Sequence, residues 1–571
     1  TFQPYFMPHE CIIVQVGQCG NQLGCDFWRQ CLIEQAFHPQ GESLSTFFHN
    51  TSDVIEGAHL KIKDGYYGSS GGDKVRKLKA RAVLIDMEEG VLNRLLQGPL
   101  QDLFTADYRL DDVTGSGSGN NWACGYVEYG EKHARSIEDH LRKQLDLCDS
   151  PQSVFLLHSL GGGTGSGLGV RVLECVKDLF PELTRVSASV VPNVHSDDVI
   201  TSPYNCILSL SHLMETADVI LPFENEQIER IAHRIKKIPR RARDRTITTK
   251  SSPLKYAFGE AYSPILKSKD IPQSLKTFSP SLFKDVSPTS SAASKTIATS
   301  DEPEETPYGF INGTIASVLC DITAGMRYGG ELNVDISELN TNMVPFSSLN
   351  LLIPSLSPLS PRTLPLSLRE ACLSVFSRDC CMCSDAASSS GPAVKPGSKT
   401  GGSLGRTRLS YFQSACTLSC GVFGRGARVC VEDMSWCIEK QRGRMKMPIW
   451  AVDGFKVGVC SQGAVRWHQG ECVELPYSFL SLSNSTAITN TLDIALEKID
   501  RLFGKKLYWH HYAKHLALDD MKRAIERVRT VRDEYKKEER SLEDDDGAIE
   551  GSIERGGVTM SVPLDYSKLF V

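Results

Sequence analysis

Up to about residue 225, short apolar runs alternate with longer stretches whose apolar positions recur every three or four residues. An uninterrupted apolar run of strand length reads as a strand buried on both faces, and the three-to-four spacing reads as one face of a helix. CIIVQVG predicts the first strand and NQLGCDFWRQCLIEQ the helix behind it; RAVLID is a second strand. HARSIEDHLRKQLDLC is helical, SVFLLH a strand, LGVRVLECVKDLF a helix and RVSASVVP a strand, before YNCILSLSHLMETA leads as a helix into DVILPF. This alternation predicts parallel βαβ units and an α/β fold.

The pattern breaks between residues 240 and 306, where Pro, Ser, Thr and Lys dominate without lasting periodicity. That composition predicts a disordered insertion. Its leading edge, RIKKIPRRARDRTITTK, is basic but lacks interleaved aromatics, so it reads as a solvated face, with an acidic partner as the alternative. Regular structure resumes with YGFINGTIASVLCDITAGMRYG, spaced as a buried helix, and continues to about residue 480 around a low-complexity loop. Two amphipathic helices follow, AITNTLDIALEKIDRLFGKKLYWHHY and LDDMKRAIERVRTVRDEYKKEE, and from Ser541 the chain is polar and expected to fray. The expected division is 1–225, an α/β domain; 226–307, a helix plus the insertion; 308–480, a central helix and an α+β domain with loop 384–408; and 481–571, carboxyl-terminal helices and a flexible tail.

Totals narrow the field. A chain of 571 residues has room for two or three domains, and a net charge of −6, small for this size, implies neither nucleic acid nor an anionic membrane as partner. No apolar stretch reaches the ~18 residues of a membrane span. The first segment has neither a basic flank nor a small-residue cleavage site, so an intracellular protein is expected. In a reducing compartment the 19 cysteines read as small buried hydrophobes. Only Cys380, Cys381 and Cys383 cluster tightly, and without a second pair at zinc spacing they read as reduced thiols rather than a metal site.

One stretch carries chemistry: His158-Ser-Leu-Gly-Gly-Gly-Thr-Gly-Ser-Gly-Leu-Gly169, between a strand and a helix. In a parallel sheet such a loop lies at the strand's carboxyl end, where the first turn of the helix offers unpaired N–H groups and a positive dipole end. Glycines let those amides converge on a phosphate, and Thr164 and Ser166 add hydroxyls. The spacing fits neither a P-loop nor G-x-G-x-x-G, and a flexible glycine hinge is the rival reading. Three more strand ends weigh against the hinge: Gly17-Gln-Cys-Gly-Asn-Gln22, the carboxylates Asp86 and Glu88 with hard oxygens suited to Mg2+, and the turn Gly115–Asn121. Four such features on one edge make a nucleotide pocket.

GQCGNQ, GGGTGSG, SGNNWA and NMVPF resemble the tubulin family, and the likeness runs from CIIVQVGQCGNQ to the helices beginning SNSTAI, broken mainly by the two insertions. The resemblance implies a tubulin/FtsZ-like GTP-binding α/β domain, a second α+β domain joined by a central helix, and a carboxyl-terminal helical hairpin. It assigns Gln18, Cys19 and Gln22 to the phosphates and base edge, and Asp86 and Glu88 to the magnesium side. Asn120, Ser159, Gly163, Thr164 and Gly165 would surround phosphates and sugar; Asn225 and Asn312 would read guanine, with Tyr308 stacked on it. The implied cofactors are GTP or GDP and Mg2+.

In Asn333-Val-Asp-Ile-Ser-Glu338 two carboxylates stand three apart. By themselves Asp335 and Glu338 read as a capping box. The resemblance makes Glu338 a catalytic residue, with Asp335 its neighbour, orienting water onto nucleotide held by the next subunit. LKARAVLIDMEEG, LQGPL, DDVITSPYN and the long insertion resemble the epsilon branch of the family. That implies a cytoskeletal protein of the cytoplasm at centrosome, centriole or basal body, whose partners are other tubulins and centriolar or basal-body proteins, with no nucleic acid and no membrane.

Three departures qualify this. Ser202 stands where α and β chains place a ribose-binding glutamate, SLSPLSPRTLPLSL is short where the family has its lateral-contact loop, and the tail lacks a dense glutamate run. Competing readings are a non-polymerising GTPase switch or an adaptor that caps or scaffolds other tubulins. A dinucleotide oxidoreductase shares the α/β start without its fingerprint.

Overall fold

A computed structural model describes residues 9–38, 42–50, 78–97, 100–112, 117–193, 199–237, 308–360, 363–365, 367–383, 415–468 and 471–553. The insertion expected at 240–306, the loop 384–408 and part of the turn 115–121 lie outside them. In chain order the first strands are β1 (Glu10–Val16), β2 (Phe48–Asn50), β3 (Leu78–Ala80), β4 (Ala82–Asp86), β5 (Arg109–Asp111), β6 (Pro151–Ser159), β7 (Thr184–Val191) and β8 (Val219–Glu224). Six of them form one sheet in the order β5-β4-β1-β6-β7-β8, every pairing parallel. β2 and β3 pair antiparallel beside it.

Alternation along the strands sorts their side chains to two faces. Ile12, Val14 and Val16 of β1 join Val83, Ile85, Val154 and Leu156 in one core, beneath the helices Ala134–Leu145, Gly169–Leu179 and Ser202–Thr216. Cys11 and Ile13 join Leu84, Phe155, Leu157 and Ala188 in the other, against the helices Gly17–Phe37 and Gly309–Ile322. Both faces are therefore covered, as an all-parallel sheet requires. The periodicity predicted five of these six strands. The sixth, β5, is a three-residue edge strand, RLD, too short and too charged to register as an apolar run.

A second sheet, in the order β11-β10-β14-β9, is mixed: β10 (Thr417–Arg425) runs parallel to β11 (Phe455–Cys460) and antiparallel to β14 (Ser478–Ser485), which pairs with β9 (Ile353–Ser357). β12 (Val465–His468) and β13 (Glu471–Glu474) form a hairpin. The helix Thr489–Phe503 and the long helix Leu518–Ile553 lie over Ser202–Thr216. The long helix continues to Ile553, past Ser541 where fraying was expected.

Between the two sheets lies a buried ionic cluster. Glu34, near the end of Gly17–Phe37, is paired with Arg425 of β10 at 3.0 Å and Arg327 at 2.8 Å. Asp321, at the end of Gly309–Ile322, takes Arg425 at 2.7 Å and Arg466 of β12 at 2.5 Å, and accepts from Ser478 Oγ at 3.1 Å. Burial pushes the Glu34 carboxyl upward, but Arg425, Arg327 and Arg466 outweigh it and hold the group at about 2. Removing one member of such a cluster strands buried opposite charge, at a cost of about 3–5 kcal/mol.

Because the folded value lies below the unfolded one, the contribution of Glu34 is complete above about 4.5 and is lost as pH falls toward about 2. Glu34→Gln is expected to lower unfolding free energy by about 3 kcal/mol. It should also remove part of the wild-type stability loss across that acid window, both measured by urea denaturation at a series of pH values.

Candidate functional site

Because all six strands of the main sheet run the same way, their carboxyl ends form one rim. β1 ends at Val16, and the next residue, Gly17, opens the helix Gly17–Phe37 with a φ of +74°. A Cβ there would stand 2.8 Å from the amide nitrogen of Gly165. The turn after β1 and the glycine loop after β6 thus touch backbone to backbone, which only glycine permits at this φ. A Cβ on Gly163 would likewise strike the Asn121 nitrogen at 2.5 Å, and Ser118 Oγ lies 2.8 Å from Thr164 Oγ1.

This loop is packed rather than a free hinge. His158 is fully buried beneath it, with Nδ1 2.9 Å from the Gly165 carbonyl and Nε2 2.9 Å from Ser187 Oγ and 3.0 Å from Ser189 Oγ. Burial pushes its pKa down to about 4, so the ring is neutral at pH 7. A carbonyl only accepts, hence Nδ1 carries the proton and Nε2 takes one from a serine. Sequence reasoning quoted His158 without giving it a role; a polar residue ending an apolar run was the available signal.

The expected residues gather as follows. Gln18 and Gln22 are exposed on the first turns of Gly17–Phe37, with Cys19 half-buried between them, and Asp26 continues that face one turn further. Asn312 hydrogen-bonds Asp26, whose carboxyl is raised by burial against the pull of Arg29 and of Asn312 itself. Tyr308, 53% exposed, precedes the same helix as Asn312. Ser159 Oγ accepts from the Gly161 amide at 3.2 Å, and Asn120 sits at φ +54° with its carbonyl held by Asn205 Nδ2 and Thr201 Oγ1, each at 2.9 Å. Asn225 directly follows β8, and its Oδ1 is buried with no hydrogen-bond partner among the described residues. Ser202 is buried, its Oγ facing the Gly161 turn.

Asp86 ends β4 and is buried. Its Oδ1 accepts from the Glu88 amide at 3.3 Å, and its Oδ2 has no hydrogen-bond partner among the described residues. Burial raises this carboxyl to about 7, with Glu88 close enough to add repulsion. Exposed Glu88 faces Gly117, where a Cβ would meet Glu88 Oε1. An orphaned hard oxygen beside a second carboxylate suits a divalent cation.

The two carboxylates Asp335 and Glu338 are not at this rim. Asp335 caps the helix Ile336–Met343, accepting from the Glu338 amide at 2.8 Å, so the capping geometry is present. The Glu338 carboxylate is paired with Lys456 of β11, a partner the sequence did not signal. Their segment lies at the opposite end of the sheet. Glu34 is 17 residues beyond Gly17, about 25 Å along the helix, and there it meets Arg327, eight residues before Asp335. The chain beyond the capped helix agrees, since Asn350 binds Ala217 and Ile220 at the start of β8, whereas Asn225 follows its end.

A parallel sheet with glycine turns touching at its carboxyl rim, acid groups beside them and a second mixed sheet beyond defines a nucleotide-binding α/β protein. The Tubulin/FtsZ family, GTPase domain, matches residues 10–233. The chain is 34% identical over 507 residues to the tubulin epsilon chain of Homo sapiens, covering 88% of this chain and 90% of that one. The tubulin epsilon chain of Mus musculus is 33% identical over the same shares, and the tubulin beta-2 chain of Suillus bovinus is 27% identical over 95% of this chain and all of that one. The chain belongs to the tubulin family, and its GTPase domain implies GTP or GDP as the nucleotide.

A Cβ on Gly165 would come within 3.2 Å of the Val16 carbonyl and 3.3 Å of Ser159. Gly165→Val combined with Thr164→Val is expected to abolish co-purifying guanine nucleotide, measured by chromatography of the nucleotide released on denaturation. Stoichiometric GTP in the variant would show that the loop does not contact it.

Proposed function

We propose that the rim binds GTP or GDP with Mg2+ and that the chain joins other tubulins head to tail, Glu338 completing hydrolysis on the neighbouring subunit's nucleotide. The observation that carries this reading is the separation of the rim from Glu338 within one chain. Phosphate cradle and carboxylate stand at opposite ends of the sheet, so neither meets the other except across a contact between subunits. The Glu338 end also exposes apolar side chains: Phe346 (46% exposed), Ile449 (72%) and Trp450 (53%), with the rings of Phe346 and Trp450 5.7 Å apart edge to face. Exposed apolar clusters of this kind mark contact surfaces.

In this mechanism the glycine-loop amides and the hydroxyls of Thr164 and Ser159 orient the phosphates, while Asn225 and Asn312 face guanine's donor and acceptor edge and Tyr308 supplies a stacking face. Asp86 Oδ2 and Glu88 would hold Mg2+, which offsets phosphate charge when bound. Glu338, on a helix whose first turn Asp335 caps, accepts a hydrogen bond from water and aims it at the neighbour's terminal phosphate. The likeness to epsilon chains supports a cytoskeletal role at centrioles or basal bodies, in organising their microtubules with centriolar or basal-body proteins.

Between β9 and the helix Leu368–Ser374 the chain has only the connection from Pro358 to Ser367. That brevity favours, as a second reading, an adaptor that caps or scaffolds other tubulins without packing side by side. Sedimentation with and without α/β-tubulin separates the two.

Glu338→Ala is expected to retain bound GTP and to slow hydrolysis by about 100-fold or more, read as phosphate release with rising protein concentration or added tubulin. An unchanged rate would return Glu338 to capping alone. Wild-type turnover independent of concentration would favour a non-polymerising switch.

A further inference from the structure

The connector between the last two helices reaches the rim through a fully buried amide. Asn205, in the helix Ser202–Thr216, uses all of its side-chain hydrogen-bonding capacity. Nδ2 donates to the carbonyls of Asn120 at 2.9 Å and Gly161 at 2.8 Å, and Oδ1 accepts from the Trp122 amide at 2.9 Å and from Tyr512 Oη at 2.6 Å. One side chain therefore joins the turn at 120–122, the glycine loop and the chain's last third. Two further bonds tie the same connector to the same place: Asn121 Nδ2 donates to the His511 carbonyl at 3.0 Å, and Tyr204 Oη to the Leu507 carbonyl at 2.6 Å. Tyr512 has no exposed surface, and its ring stacks on Tyr204 and Trp509 with centroids 4.9 and 6.3 Å away.

We propose that Tyr512, acting through Asn205, is a positioning residue for the nucleotide. It rests on the reading that the rim holds GTP or GDP, and it adds a requirement from outside the loops assigned to that nucleotide. Asn120 is held at a positive φ, a conformation an asparagine adopts at some cost, and its carbonyl is fixed by the amide that Tyr512 braces. The Tyr512 hydroxyl, which lies 2.6 Å from Asn205 Oδ1 and 3.3 Å from the Thr201 carbonyl, braces the amide in the orientation that its backbone partners set. An amide turned the other way would set its NH2 against the Trp122 amide and its oxygen against two carbonyls. A tyrosine over 300 residues later in the chain thus supplies the fourth bond to the amide that spaces the nucleotide loops.

The test compares Tyr512→Phe with wild type, each loaded with radiolabelled GTP or GDP. Phenylalanine preserves the ring stack and removes one hydroxyl. Loss of one buried hydrogen bond from the bound arrangement is expected to speed nucleotide dissociation about fivefold. The melting temperature of nucleotide-depleted protein should change little, while the rise in melting temperature on adding GTP should shrink. Tyr204→Phe, which frees the connector at Leu507, should act in the same direction. Tyr535→Phe removes another buried tyrosine bond, to Asn484 Oδ1 at 3.1 Å and outside this cluster, and should leave dissociation unchanged. Dissociation at the wild-type rate in both Tyr512→Phe and Tyr204→Phe would overturn the inference, as would equal acceleration in Tyr535→Phe. Wild-type protein that binds neither GTP nor GDP would overturn the nucleotide reading itself, and this inference with it.

Discussion

The contact of Gly17 with Gly165 is the constraint on which the site depends. Two strand-to-helix turns meet with no side chain between them, bringing the amino ends of two helices to one spot. Six parallel strands supply the positions, and the absence of Cβ atoms supplies the approach. Everything that gathers there follows from that meeting: the hydroxyls of Ser118 and Thr164, the carboxylate of Asp86 and the amides opening each helix. His158 then makes the glycine loop a fixed object, since its neutral ring ties the loop's carbonyl to serines on the next strand. Entropy given up by so many glycines is offset by packing as well as by whatever anion the amides hold.

A second constraint sets the other end. The cluster around Glu34 and Asp321 locks the far ends of two long helices onto the second sheet, and Arg327, one of its members, starts the run of chain that reaches Asp335 and Glu338. Such buried charge is weak evidence for stability, but it tolerates few alternative arrangements. Here it fixes the distance between the rim and Glu338. On the proposed reading, a subunit built this way carries two halves of a site on opposite faces, and the contact that joins them would be heterologous, leaving a rim open at one end and a carboxylate at the other.

How much of this was legible in the chain divides along physical lines. Strands buried on both faces announce themselves as apolar runs, and five of six were read that way, whereas Arg109–Asp111 pairs through backbone alone at an edge and leaves no hydrophobic trace. Glycine turns at strand ends pointed to a phosphate rim because composition there serves backbone geometry. The guanine-reading roles expected of Asn225, Asn312 and Tyr308 were not visible in spacing; they entered through resemblance, and the structure places Asn312 against Asp26. Lys456, Asn205 and Tyr512 were missed because each gains its part from contacts across long stretches of chain, more than 100 residues in the case of Glu338 with Lys456. No local period records such a partner.

The two kinds of missed residue differ in what they imply. Lys456 meets Glu338 where both are partly exposed, so solvent shares in setting that carboxylate's position. Asn205 and Tyr512 are sealed from water, so water does not compete for their hydrogen bonds. A buried amide with all four partners present has one satisfactory orientation, and its neighbours inherit that orientation. The rim is consequently organised from inside by a buried polar joint, whereas the opposite end is organised at the surface by the pair of Glu338 with Lys456. On the proposed reading this asymmetry is what a head-to-tail assembly requires: the nucleotide must stay bound in a lone subunit, and hydrolysis must wait until a second subunit arrives.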